Sequence, residues 1–245
     1  MHRFKMTELG EQVFWLRDQE RDHLVRVLRL GVGDKVVGYD NTGAEHLGVV
    51  ECINEKSVTC RILSSDYPEV EAKTEVYLVA GLSKGEKMEW VIQKGTELGM
   101  AGLVPLRTRR AVMKLEGEKA RERVDRWQKI AVEAAKQSHR VHEPKIYPVS
   151  AWQEMSDLLP RETQWIIPYE EEKAQGLNHV LAQLDQNKPV AVLIGPEGGF
   201  DPQEVEKAVH DLSAFPVSLG PRILRAETAA LAALTLVLGY WGDLG

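Results

Sequence analysis

From residue 75 onward, short apolar runs alternate with longer segments of helical period, and that alternation limits the fold more than any other feature. The apolar runs cover 75–82, 103–106, 164–169, 190–195 and 216–219. The helical segments cover about 84–98, 118–139, 151–159, 173–184, 202–212 and 226–240. Short strands separated by helices of this length predict a parallel sheet with crossover connections, an α/β domain. The first 70 residues follow another pattern. A short helix over 22–30, with Leu24, Val27 and Leu28 on its apolar face, precedes strands at 35–39, 45–53 and 57–63. Tight turns at Asn41-Thr-Gly43 and Asn54-Glu-Lys56 separate them and predict a small β-barrel. Residues 64–74 are polar and hold Pro68, so the division falls there: one domain over 1–70, another over 71–245.

Composition narrows the class. The chain is 43% hydrophobic and 28% charged, a globular balance. Its longest apolar stretch, 229–241, is broken by Thr235 and Gly239 and is too short to span a bilayer, so no membrane partner is expected. Residues 1–9 carry charges and no apolar core of a signal peptide, and the expected location is the cytoplasm. Cys52 and Cys60 fall inside predicted strands and read as small core residues. They are too few for a zinc site, and no metal is expected. The net charge of −6 hides an asymmetry: 105–145 holds 12 basic and 6 acidic side chains, whereas 146–245 holds 6 and 14. A basic segment in an acidic chain is either a polyanion site or a salt-bridged helix.

Two loops carry the chemistry. In the first, an apolar strand runs into Gly195-Pro-Glu-Gly-Gly199, and a helix opens with Asp201 as cap, Pro202 at its first position and Glu204 closing a capping box. Three glycines and a proline permit a bent backbone and close approach of a ligand. The order is neither that of a Walker A loop nor that of a dinucleotide fingerprint. In the second, a strand passes through Gly220-Pro221 into a helix. Arg222, Arg225, Glu227 and Thr228 crowd the junction, ahead of a segment apolar on nearly every side.

The pair Leu193-Ile-Gly-Pro-Glu-Gly-Gly-Phe200 and Leu219-Gly-Pro-Arg-Ile-Leu-Arg-Ala-Glu-Thr-Ala229 resembles the signature of the RsmE family, SPOUT-superfamily RNA methyltransferases that use S-adenosylmethionine. His23-Leu-Val-Arg-Val-Leu-Arg29 with Gly33-Asp34 resembles the family's PUA-like N-terminal domain. Met88–Gly99 and Arg126–Arg140 follow in the family's order. This sequence departs from the pattern at His139, where a glycine is expected, and at Gly95, where a larger residue is usual. The resemblance implies an N-terminal PUA-like barrel and a C-terminal α/β domain with a deep trefoil knot. It also implies a homodimer, and a cofactor held by Leu193, Ile194, Gly195, Pro196, Glu197, Gly198 and Gly199 with Leu219, Gly220, Pro221, Ile223, Leu224 and Thr228. The implied reaction is methylation of N3 of a uridine in 16S ribosomal RNA, free or in the small ribosomal subunit. A bulky residue at Gly198 or Gly220 is expected to occupy the cofactor's space.

Uridine N3 is protonated at neutral pH, so the site needs a base or cations that stabilise the anion. Arg225 and Glu227 adjoin the second loop. Glu133, Lys136 and Arg140 stand at helical spacing on one face, and an ion pair of Glu133 with Arg140 is as consistent with that spacing as a catalytic role. The opposite stripe, Ala120, Val124, Trp127, Ala131 and Ala134, is expected to face the core. Arg107, Arg109 and Arg110 in the basic segment, and Arg26 and Arg29 in the first domain, are the expected RNA contacts; His23 reads as structural. Two alternatives stand beside this enzyme: a non-catalytic RNA-binding or ribosome-assembly protein, and an enzyme for a small phosphorylated molecule. Intact glycine loops argue against the former. The lack of Lys or Arg within the Gly195 loop argues against the latter.

Overall fold

The computed structural model describes residues 1–244, which divide into two compact units. The first comprises Met1–Glu71 and Ala135–Glu143, and the second Ala72–Ala134 and the chain from Pro144. The segment 135–143, which a division at residue 70 assigns to the C-terminal domain, thus packs with the first unit.

In the first unit, β1 (Arg3–Lys5), β2 (Glu8–Leu9) and β3 (Val13–Arg17) precede α1 (Asp18–Asp22) and a π-helical turn over His23–Val27. Then come β4 (Lys35–Tyr39), β5 (Glu45–Ile53) and β6 (Ser57–Asp66). The strand order is β1-β4-β5-β6-β3-β2. Only Met6 and Thr7 separate the two edge strands in the chain, so the edges lie within about 11 Å and the sheet must roll up. Met6 N–H donates to Tyr39 O at 2.7 Å and Thr7 N–H to Trp15 O at 2.9 Å, one bond towards each edge. Phe4, Phe14, Leu16, Leu24, Val36, Val50, Val58 and Cys60 fill the interior. The sequence pattern misses β1–β3, of which β1 and β2 span only three and two residues. Two other expectations are corrected. Val27 is exposed, because the π turn rotates it away from Leu24. Cys52 is exposed beside a bulge in β5; only Cys60 is core, and burial pushes its thiol up to about 12.

The second unit holds β7 (Val76–Gly81), α2 (Lys87–Leu98), β8 (Gly102–Leu106), α3 (Gly117–Gln137, whose last residues join the first unit), β9 (Lys145–Ile146) and β10 (Gln164–Pro168). It continues with α4 (Leu177–Leu181), β11 (Val190–Ile194), α5 (Pro202–Leu212), β12 (Phe215–Val217) and α6 (Ala226–Tyr240). All pairings in the sheet β12-β10-β11-β7-β8-β9 are parallel. Strand alternation sorts its side chains into two cores. Leu78, Val192 and Ile194 pack with Ile92 of α2 and Leu234 of α6; Val79, Ala191 and Leu193 pack with Phe200 and Val205. Trp127, Ala131 and Ala134 of the α3 stripe are buried, and Ala120 and Val124 partly so. Helix 151–159 is reduced to one 3₁₀ turn, Ser156–Leu158. Its first N–H, on Ala151, is taken at 2.8 Å by the Glu154 carboxylate. Helix 173–184 shortens to α4, because Glu172 Oε1 accepts from Ala174 N–H and Gln175 N–H and turns the chain. No helix among the described residues is long and apolar enough to cross a membrane.

The end of α3 explains His139. Arg140 N–H donates back to Ala135 O at 2.9 Å, and His139 sits left-handed at φ 63°. The matching position after α2 is Gly99, at φ 109°. A side chain in this conformation costs about 1 kcal/mol more than glycine. His139→Gly is therefore expected to stabilise the protein by about 1 kcal/mol, read as a raised urea midpoint at constant m. A lowered midpoint would show that the imidazole contributes more than the strain costs.

Candidate active site

β10, β11 and β12 are parallel neighbours, so the loops leaving their carboxyl ends meet at one edge of the sheet, where open α/β sheets bind ligands. They enclose a cleft of about 520 Å³, lined by 168–170, 194–200, 218–227, Ala229 and Lys87, all from the second unit.

Close backbone approach shapes the first loop. A Cβ on Gly195 would stand 2.9 Å from the Phe200 nitrogen and 3.0 Å from the Gly199 carbonyl carbon. Gly199 N–H closes the turn onto Pro196 O at 2.9 Å. The loop rests on Gly81, the last residue of β7, where a Cβ would stand 2.6 Å from the Pro196 nitrogen. Helix α5 then opens as the sequence predicts: Asp201 accepts from Gln203 N–H at 3.1 Å, and Glu204 accepts from Asp201 N–H at 2.9 Å. In the second loop, Gly220 lies at φ 112° with nothing within 4 Å of where its Cβ would stand, and Ser218 Oγ accepts its N–H at 3.2 Å. Arg225 caps α6 through its backbone only.

The expected cofactor residues all line the cleft except two. Leu193 points to the opposite face of β11 and is fully buried, a consequence of strand alternation. Thr228 is exposed on α6 and off the cleft. Gly198 lines the cleft, but a Cβ there would meet Arg110 Cβ at 3.3 Å, which corrects the expectation that it would fill ligand space. Ile223 is 91% exposed at the rim.

Arg225 and Glu227 line the cleft; Glu133 and Arg140 do not. Helix α3 stops at Gln137, so the shared face does not reach Arg140. Glu133 is exposed on α3. Arg140 is buried in the first unit, donating to Glu71 Oε2 from Nε at 3.0 Å and Nη2 at 2.7 Å. Glu71 Oε1 accepts from Val141 N–H and His142 N–H. Burial would raise the Glu71 carboxyl, but the guanidinium and these N–H groups outweigh it and hold the group below the usual range.

The sequence reading missed three contributors. Lys87, at the start of α2, donates to Glu197 Oε1 at 3.1 Å, and Lys84 N–H donates to the same oxygen at 3.0 Å. Against the upward effect of burial, these bonds and one from its own N–H hold the Glu197 carboxyl below its ordinary value. Glu227 Oε2 lies 3.9 Å from Lys87 Nζ and is buried without a hydrogen bond. Gly81 and the Tyr169–Glu170 wall complete the list. None carries a motif; sheet order brings them together.

Of the arginines of the basic segment, Arg110 braces the first loop and Arg109 the start of α5. Arg109 N–H donates to Glu204 Oε1 at 2.9 Å and its side chain to Gln203 Oε1 at 2.6 Å. Arg110 donates to Gly198 O at 3.3 Å and stands 3.7 Å from Asp201. Arg107 stands 3.5 Å from Glu154. In the first unit Arg26 pairs with Asp22 at 3.2 Å, and Arg29 is exposed at φ 55°. Charge reversal at Arg110 is therefore expected to weaken ligand binding in the cleft by about tenfold. Calorimetry checks it; intact affinity would show that the first loop keeps its shape without Arg110.

Parallel strands with glycine-bent loops in one unit, and a small barrel in the other, define a class. The sequence model of the RNA methyltransferase domain matches residues 70–238, and that of the RNA methyltransferase PUA domain matches 16–63. The chain is 34% identical over 228 residues to the ribosomal RNA small subunit methyltransferase E of Bacillus subtilis, covering 91% of this chain and 89% of that one. It is 31% identical over 231 residues to the protein of the same name from Synechocystis, covering 94% and 74%. The crystal structure of the Neisseria gonorrhoeae ribosomal RNA small subunit methyltransferase E bound to S-adenosyl methionine superposes with a TM-score of 0.87 at 30% identity, covering 99% of both chains. The chain belongs to the ribosomal RNA small subunit methyltransferase E family.

Proposed function

We propose that this protein transfers a methyl group from S-adenosylmethionine to N3 of a uridine in the 16S RNA of the small ribosomal subunit. The observation that carries the reading is the cleft between two glycine-bent loops, in a chain similar over its whole length to a relative crystallised with that molecule. The residues present fit the group. Space is open at Gly220, and Glu227 Oε2 is a buried acceptor without a donor. Lys87, Arg222 and Arg225 balance Glu170, Glu197 and Glu227 around the cleft, which suits a ligand carrying both signs of charge. Residues 194–199 and 219–224 would hold it, and when bound it supplies an electrophilic methyl on a sulfonium.

Uridine N3 becomes nucleophilic as its proton leaves. Arg225 stays protonated at neutral pH, so it cannot accept that proton; its guanidinium stabilises the uracil anion. Glu227 is the candidate to accept the proton on its carboxylate; among the described residues it makes no hydrogen bond or ion pair with Arg225. Glu133 and Arg140, outside the cleft, take no step. N3 lies on the Watson–Crick edge, so the base is taken unpaired or extruded. Arg26, Arg29, Arg107, Arg109 and Arg110 position the RNA through its phosphates. The working form is a homodimer, in line with Leu236 and Tyr240 left exposed on α6, and the α/β domain carries the SPOUT knot. Calorimetric titration with S-adenosylmethionine is expected to give one site per chain; no binding at millimolar ligand would overturn the cleft assignment.

A further inference from the structure

We propose that Lys87 is a positioning residue that ties the two cofactor loops together before ligand arrives. The inference rests on the cofactor reading above. Three separate segments meet at its ammonium: α2, which carries it; the first loop, through Glu197 Oε1 at 3.1 Å; and the start of α6, through Glu227 Oε2 at 3.9 Å. A cation in the first turn of α2 opposes the helix dipole, so helix stability does not account for its place. Glu227 Oε2 is buried without a hydrogen bond, so Lys87 is its nearest compensating charge. Of the other charged groups lining the cleft, Glu170, Arg222 and Arg225, none forms a hydrogen bond or ion pair with Glu197 or Glu227 among the described residues. One ammonium therefore serves a carboxylate of the first loop and one in the first turn of α6, directly after the second loop. Holding the loops at their working separation raises affinity by lowering the ordering cost of binding.

The test has one arm without ligand and one with it. In the ligand-free protein, Lys87→Met is expected to speed amide hydrogen exchange at Gly198–Phe200 by about tenfold, while the strands below keep their protection. In calorimetry, Lys87→Met is expected to raise the S-adenosylmethionine Kd about 10- to 100-fold, with Lys87→Arg recovering most of it. The single-turnover rate at saturating cofactor is expected to fall by a smaller factor than the Kd rises. Glu197→Gln is expected to reproduce the loss, and the double variant to be little worse than either single one. On the acid side, affinity in the parent is expected to fall as Glu197 takes up a proton, whereas that of Lys87→Met is expected to stay level, because the variant has no bridge left to lose. If Lys87→Met does not fold, Glu197→Gln carries the same two arms. Unchanged exchange and unchanged Kd overturn the proposal, as does a loss confined to the single-turnover rate. A parent protein that binds no S-adenosylmethionine overturns the cofactor reading instead, and the exchange arm still decides whether Lys87 holds the loops.

Discussion

Gly81→Val is expected to weaken S-adenosylmethionine binding more than about 100-fold in a protein that still unfolds cooperatively. Gly81 ends β7 outside both glycine loops, and its role is close approach. A Cβ there would stand 2.6 Å from the Pro196 nitrogen and 2.7 Å from Pro196 Cδ. A ring closed onto the backbone cannot swing aside as a flexible side chain can, so the whole first loop must lift. Gly195→Ala is expected to act in the same way, through Phe200 and Gly199 backbone atoms at 2.9 and 3.0 Å. Gly198→Ala, meeting only the Arg110 side chain at 3.3 Å, is expected to be the mildest of the three. Gly220 meets nothing, but its φ of 112° strains any other residue. Calorimetry paired with thermal unfolding reads this order. A Gly198→Ala loss larger than that of Gly81→Val would mean that ligand contact, not loop seating, sets affinity.

Arg225→Ala is expected to lose about 100-fold or more in the chemical step, with Arg225→Lys retaining part of the rate. Among the described residues the Arg225 side chain makes no hydrogen bond or ion pair, so it is available to substrate and carries little of the fold. Raising the pH is expected to rescue the alanine variant in part, because more of the uridine is then already ionised. Single-turnover rates at saturating cofactor isolate this step from binding and release. Rescue in Glu227→Gln, with none in Arg225→Ala, would instead make Glu227 the proton acceptor and Arg225 a helix cap.

The two loops are legible in the sequence because glycine and proline must stand where a strand turns sharply into a helix, and the Asp201–Glu204 capping box marks where α5 begins. Leu193 was misplaced for a reason equally local: it belongs to the motif, but its strand neighbour Ile194 takes the cleft side. The wall at Tyr169–Glu170, Gly81 and Lys87 is not legible, because it depends on β10 and β7 flanking β11, and sheet order is not written in local pattern. The same holds for Arg140. Helical spacing placed it beside Glu133, whereas the left-handed His139 ends α3 first and turns the guanidinium onto Glu71. His139 itself was visible as a departure, and its backbone conformation supplies the physical reason that glycine is expected there.

Methylation of uridine N3 in small-subunit RNA is the reaction proposed for this cleft. Its most direct test incubates the purified protein with methyl-labelled S-adenosylmethionine and small ribosomal subunits lacking the modification, then digests the RNA and separates the nucleosides by mass. The account predicts label in 3-methyluridine, abolished by Gly81→Val and strongly reduced by Arg225→Ala. Label in any other nucleoside, or undiminished label in both variants, would contradict it.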